Sequence, residues 1–103
     1  MSYISQTTRP YFDKEIEALA QAVAKNTRDS VEDYSVVRTM EYVVTKLLCR
    51  IIKIKFGTIS YRAIASFLGV LETTKQEFYR RVAVPFEDKQ KGINGDVYGE
   101  LLS

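Results

Sequence analysis

Residues 36–54 decide the fold of this chain, and they read Val36-Val-Arg-Thr-Met-Glu-Tyr-Val-Val-Thr-Lys-Leu-Leu-Cys-Arg-Ile-Ile-Lys-Ile54. Large apolar side chains recur there at alternating steps of three and four, at Val37, Met40, Val44, Leu47, Ile51 and Ile54. This spacing places the apolar side chains in one stripe along an α-helix. Neighbouring apolar residues make the stripe wider. The many β-branched residues favour a strand locally, whereas the length and the spacing favour a helix. We therefore predict a central helix in which Leu47 and Ile51 are fully buried.

A shorter helical pattern precedes the central helix. Residues 1–9 are polar and are predicted to be a loose arm. Pro10 fits the first turn of a helix, where its missing N–H costs nothing. Ser30 is expected to cap the central helix, with acidic residues in the first turn after it. The apolar face of this first helix is predicted to consist of Phe12, Ile16, Leu19 and Val23.

A third helical pattern follows, from a cap at Ser60 through apolar positions as far as Val82. Gly69 lies in its middle, either inside one helix or at a turn between two. Gly57 is expected to end the central helix, and Pro85 to stop the helix before it. A further turn is indicated by Asn94-Gly95-Asp96.

The predicted fold is all-α, a small bundle of three to five helices in a single domain over residues 1–103. Residues 85–103 are predicted to form an ordered, non-helical tail packed on the core. The reason is that a disordered tail would have little use for the apolar residues Phe86, Ile93, Val97 and Tyr98. The apolar stripe of the central helix is wider than one neighbouring helix can cover. We therefore expect a homodimer with this helix or its neighbours at the interface.

Composition excludes several chemistries. The 103 residues carry a net charge of +2, no histidine and the single cysteine Cys49. Serine–histidine and cysteine–histidine catalysis are thereby excluded, and a zinc site is not expected. We expect a non-enzymatic, cofactor-free protein, and one cysteine suits a reducing cytoplasm. No apolar stretch reaches the length of a membrane span, because Lys46, Arg50 and Lys53 interrupt the best candidate.

A nucleic-acid-binding function is the alternative. Ala65 and Gly69 have the spacing of a helix-turn-helix motif, in which the glycine forms the turn, so residues 60–84 could bind DNA. The second helix of that motif needs an aliphatic residue ten positions after the alanine, and here that residue is Lys75. The weak net charge also does not favour nucleic acid. The basic stripe Lys46, Arg50 and Lys53 could contact phosphates or could be a solvated face.

The last third of the chain concentrates charged and aromatic residues. Glu77 precedes Arg81 by four positions, the favourable order for an ion pair on a helix. Glu87 or Asp88 is expected to lie near one of the arginines. An oxygen-ligand metal site is the weaker interpretation of the acidic residues, since their spacing matches no ion-binding loop. The candidate residues for partner binding or for a structural ion network are Glu72, Lys75, Glu77, Tyr79, Arg80, Arg81, Glu87, Asp88, Asn94 and Asp96.

These residues also carry a resemblance. The runs Gly69-Val-Leu-Glu72, Glu77-Phe-Tyr-Arg-Arg-Val82, Pro85-Phe-Glu-Asp-Lys89 and Asn94-Gly-Asp-Val-Tyr98 resemble a family of short uncharacterised proteins of phage and environmental genomes. Phe86 stands where the family pattern has tyrosine. The resemblance implies no activity. It implies a virus-linked accessory protein, and we expect one that binds an as yet unidentified protein partner.

Overall fold

The central helix α2 forms as predicted, over Ser35–Phe56, in a computed structural model that describes residues 3–27 and 34–103. In the sequence, α2 is preceded by α1 (Pro10–Lys25). It is followed by α3 (Tyr61–Phe78), α4 (Val84–Asn94) and the one-turn helix α5 (Gly99–Leu102). The all-α prediction is therefore confirmed. Contacts divide the chain into two compact units, one ending at Ala63 and one from Ile64 to Ser103. The single domain over residues 1–103 stays a prediction.

The ends of α1 follow local rules. Pro10 occupies its first turn, as predicted. At its other end, the Asn26 N–H and side-chain Nδ2 both donate to the carbonyl of Ala22, the latter at 2.7 Å. Part of the predicted loose arm is a hydrogen-bonded turn, since the Thr8 N–H donates to the Ser5 carbonyl at 3.0 Å. Ser30 lies outside the described residues, but α2 begins at Ser35 with Tyr34 in the cap position, so the prediction that Ser30 caps the central helix is wrong.

The end of α2 needs a glycine. Gly57 has φ +77°, a left-handed conformation in which a β-carbon is strained. Its N–H donates to the carbonyls of Ile52 and Lys53. Lys53 is one of the last four residues of the helix, whose carbonyls have no donor within it. The Lys53 Nζ donates to the Gly57 carbonyl at 3.3 Å. The predicted stop at this glycine is confirmed.

The burial predicted for α2 is wrong. Leu47 is 52% exposed and Ile51 is 39% exposed. The half-buried apolar residues of α2 are instead Val43, Leu48 and Ile52, and the stripe used for the prediction stays open. Among the described residues only Ala63 is buried. The spacing thus identified an apolar face correctly, but the described part of the chain does not cover that face.

Helix α3 begins where Ser60 caps it. The Ser60 Oγ accepts a hydrogen bond from the Ala63 N–H at 3.1 Å, the geometry of an N-cap. The helix then runs through Gly69 without a turn. Thr73 Oγ1 donates to the Gly69 carbonyl at 2.9 Å. The turn needed for the helix-turn-helix alternative is therefore absent at Gly69, because a single glycine costs a helix only about 1 kcal/mol.

The predictions that Pro85 stops the helix and that the tail is non-helical are wrong. A π-helical turn, Tyr79–Ala83, joins α3 to α4, and Pro85 lies in the first turn of α4. In an α-helix its ring would clash with the carbonyl of Arg81, four residues earlier. The wider π turn relieves this clash, and the Val84 N–H donates to the Tyr79 carbonyl, five residues earlier. Helical structure therefore continues from Tyr61 to Asn94.

The chain leaves helical structure at the predicted Asn94-Gly95-Asp96 turn. Helix α4 ends at Asn94, and Gly95 has φ +89°. Residues 95–98 are non-helical before α5 begins at Gly99. Phe86 is 59% exposed, and packing of residues 85–103 on the core stays a prediction. Within residues 3–27 and 34–103, no helix combines the length and the apolar character of a membrane span.

Candidate functional site

The predicted site residues on α3 form ion pairs along one helix. The Lys75 Nζ lies 3.3 Å from Glu72 Oε1, and Gln76 Nε2 donates to the same oxygen at 3.1 Å. These hydrogen bonds, the one from Gln76 foremost, and the charge of Lys75 lower the pKa of Glu72 below its ordinary value of 4.5. Both side chains are more than half exposed, so the pair is worth little stability.

Glu77 is held differently. Its carboxylate forms an ion pair with Arg80, so this pair lies one residue earlier than the predicted pair with Arg81. Only 17% of the Glu77 side chain is exposed, whereas 65% of the Arg80 side chain is exposed. A charge-assisted hydrogen bond to a largely covered carboxylate fixes the start of the π turn. The guanidinium of Arg80 nevertheless remains largely in solvent.

Exposed aromatic and arginine side chains follow one another around the π turn. We use the name aromatic–arginine surface for Phe78, Tyr79, Arg80, Arg81, Val82 and Phe86, of which the first five are consecutive and therefore surround the helix. Phe78 is 66% exposed, Tyr79 61% and Phe86 59%. Tyrosine and arginine are the residue types that dominate binding energy at protein interfaces, and π turns are frequent at functional sites. This surface can therefore anchor a protein partner.

A second group of predicted residues surrounds a pocket of about 470 Å³ at the end of α4. Lys91 Nζ lies 3.9 Å from Asp88 Oδ1. The Asp96 Oδ1 accepts the Tyr98 N–H at 2.8 Å, and Asn94 Nδ2 donates to Gln90 Oε1 at 3.4 Å. These local contacts brace the turn. The predicted site residues that line the pocket are Glu87, Asp88, Asn94 and Asp96.

The acidic residues do not converge on a metal site. Among residues 3–27 and 34–103, no three histidine, cysteine, aspartate or glutamate side chains group closely enough to hold a metal ion. Cys49 is exposed. The basic stripe Lys46, Arg50 and Lys53 is also exposed.

Residues 1–97 match the family model of a domain of unknown function, DUF6899. The chain belongs to this family. The DUF6899 match covers both groups of candidate residues and all of α1 to α4. The comparisons with curated proteins and with solved structures returned no match.

Sequence reasoning found most of the polar candidate residues of this DUF6899 chain but missed the apolar ones. Phe78, Val82 and Phe86 recur every fourth residue through the π turn. This spacing was visible in the sequence, but the assumed helix stop at Pro85 separated Phe86 from the other two. Lys91 and Tyr98, which line the pocket, were also not singled out as site residues. Lys91 lies on α4 and Tyr98 shortly after it, and the helical course of α4 was not predicted from the sequence.

Proposed function

We propose that this protein is a non-enzymatic accessory protein of phage or mobile-element type, located in the cytoplasm, that acts by binding other proteins. One partner is a second copy of the chain, and the other is an unidentified protein. The observation that carries the proposal is the exposure of the aromatic–arginine surface, where Phe78, Tyr79 and Phe86 are each more than half exposed. Isolated exposed apolar residues are ordinary, but here Phe78, Val82 and Phe86 recur at steps of four along one helical run, a spacing that favours a binding surface.

The composition of this surface favours a protein over a nucleic acid. Three apolar side chains, Phe78, Val82 and Phe86, can bind in an apolar groove of a protein. They would gain no favourable contact from the phosphates of a nucleic acid. Arg80 and Arg81 flank them and can form ion pairs with carboxylates at the rim of a partner. The partner should therefore present an apolar groove edged by acidic residues.

The test is capture of the partner from an extract of the host cell on immobilised protein. The wild type, Phe86→Ala and the control Tyr61→Ala are compared. Tyr61 is 94% exposed and lies outside the surface, so its loss removes an aromatic ring of similar size elsewhere. We expect one protein that is retained by the wild type and by Tyr61→Ala and lost by Phe86→Ala. The same captured proteins on all three would contradict the proposal.

The course of α3 disfavours the nucleic-acid alternative. A helix-turn-helix motif needs two helices with a turn at Gly69, and α3 continues through that position. We therefore do not propose a helix-turn-helix function.

A further inference from the structure

We infer that the exposed face of α2 is covered by the same face of a second copy, with the two α2 helices antiparallel about a two-fold axis. The α2 face is defined as Val37, Met40, Val44, Leu47, Ile51 and Ile54, which are between 37% and 72% exposed. This inference rests on the self-association proposed above and gives it a geometry. A two-fold axis is the commonest way in which a protein surface binds its own copy.

The α2 face is complementary to itself when reversed. Val37 and Ile54 are equally far from the midpoint between Thr45 and Lys46, and so are the other members of the face in pairs. An antiparallel copy therefore places each residue of the first half against one of the second half. The first half contains two valines, Val37 and Val44, and lines an open apolar depression of about 500 Å³. The leucine and isoleucine side chains in the second half of the copy can enter this depression. The opposed pairs are Val37 with Ile54, Met40 with Ile51 and Val44 with Leu47.

The charges beside the face favour the same orientation. Glu41 and Lys55 lie on one flank of the α2 face, two heptads apart. Side chains lean towards the N-terminus of their own helix. In antiparallel helices Glu41 of one copy and Lys55 of the other therefore lean towards each other, and symmetry gives this contact twice. A parallel pair would instead bring Arg50 against Lys55, two positive charges, and would align the helix dipoles unfavourably.

Charge exchange on the purified full chain tests the contact. Glu41→Lys and Lys55→Glu should each weaken self-association roughly ten-fold, because each replaces two attractive contacts by two repulsive ones. The double variant should recover wild-type self-association, since the pair is then only reversed. The matched control is Lys53→Glu combined with Glu41→Lys. It has the same net charge, but Lys53 lies on the other side of the helix and should give no recovery. Circular dichroism checks that all variants keep their helices.

Orientation is measured independently with one spin label at Phe56→Cys in a Cys49→Ser background. The two labels of an antiparallel pair lie roughly 30 Å or more apart along the helix axis, at 1.5 Å per residue. In a parallel pair they lie at the same height, under about 20 Å apart. A label-to-label distance under about 20 Å in the dimer would overturn the antiparallel arrangement but not self-association. Recovery of self-association by the Lys53→Glu and Glu41→Lys control would do the same. A wild-type mass of 11.8 kDa at tens of micromolar overturns both, even if the α2 face binds another protein.

Discussion

The substitution Leu47→Ala distinguishes contacts that the α2 face makes within its own chain from contacts that it makes with a second copy. Leu47 lies at the middle of the face and is 52% exposed. Its contacts within the chain cover about half of the side chain, and a partner would cover the rest. The substitution removes three carbon atoms without disturbing the helix, because alanine is the best helix former. Its effect can therefore be divided between folding of one chain and association of two.

The magnitude follows from the exposure. Full burial of three carbons is worth about 2.4 kcal/mol, at about 0.8 kcal/mol per buried methylene. Half of this, about 1.2 kcal/mol, should be lost from the unfolding free energy of the single chain. The other half should be lost from the interface once per copy, or about 2.4 kcal/mol per dimer. That loss raises the Kd of self-association about 50-fold.

Sedimentation equilibrium over a range of concentrations gives the Kd, and urea unfolding at low concentration gives the stability of the single chain. Tyr42→Ala is the control, since Tyr42 is 65% exposed on α2 but lies outside the face. It should leave the Kd within two-fold of the wild type. A Leu47→Ala variant that associates as tightly as the wild type would refute the reasoning. A loss of 4–5 kcal/mol from the single chain would also refute it, because such values belong to a fully buried leucine.

Three further predictions concern the rest of the molecule. Gln76→Ala and Lys75→Ala should each raise the pKa of Glu72 towards 4.5, as followed by NMR, because each removes a hydrogen bond that lowers it. The stability that this depressed pKa contributes should be present above the unfolded-state pKa and lost as pH falls through the folded-state value. Pro85→Ala should raise the unfolding free energy, by less than the roughly 3 kcal/mol between alanine and proline in a helix interior, since the π turn already relieves the clash. A fall in Tm would contradict this account of the turn. The wild type should not bind random duplex DNA at roughly 100 mM salt, where a protein reading DNA through phosphate contacts still binds measurably. A micromolar complex that weakens steeply with salt would restore the nucleic-acid alternative.

The features that sequence predicted well are those set within a few residues. Pro10 starts α1, Gly57 ends α2 and Ser60 caps α3, because each acts on backbone groups at most five positions away. The period of the α2 face likewise needs only the sequence of one helix. These local terms were enough for the all-α fold and for the C-terminal end of the central helix, whose start was predicted too early.

The errors came from effects that local rules do not contain. Pro85 was expected to end a helix, since the usual rule considers only hydrogen bonds four residues apart. A bond five residues apart, from Val84 to Tyr79, offered the chain another solution. With that, the first part of the tail became α4, and Phe86 came to lie in the same helical run as Phe78. Part of the candidate site was missed because of this single backbone choice.

The exposure of the α2 face raises a different point. An apolar period shows that a face needs cover, but it does not specify which chain provides the cover. The prediction that Leu47 is buried assumed its own chain, whereas the same stripe is equally compatible with a copy. The charges on the flank of the α2 face are what led us to infer a copy. Glu41 and Lys55 are on the same helix and too far apart to meet within it, whereas the antiparallel dimer inferred above would bring them together across its two-fold axis. Charge order beside an apolar stripe therefore carries information about the partner and its direction that the stripe itself lacks.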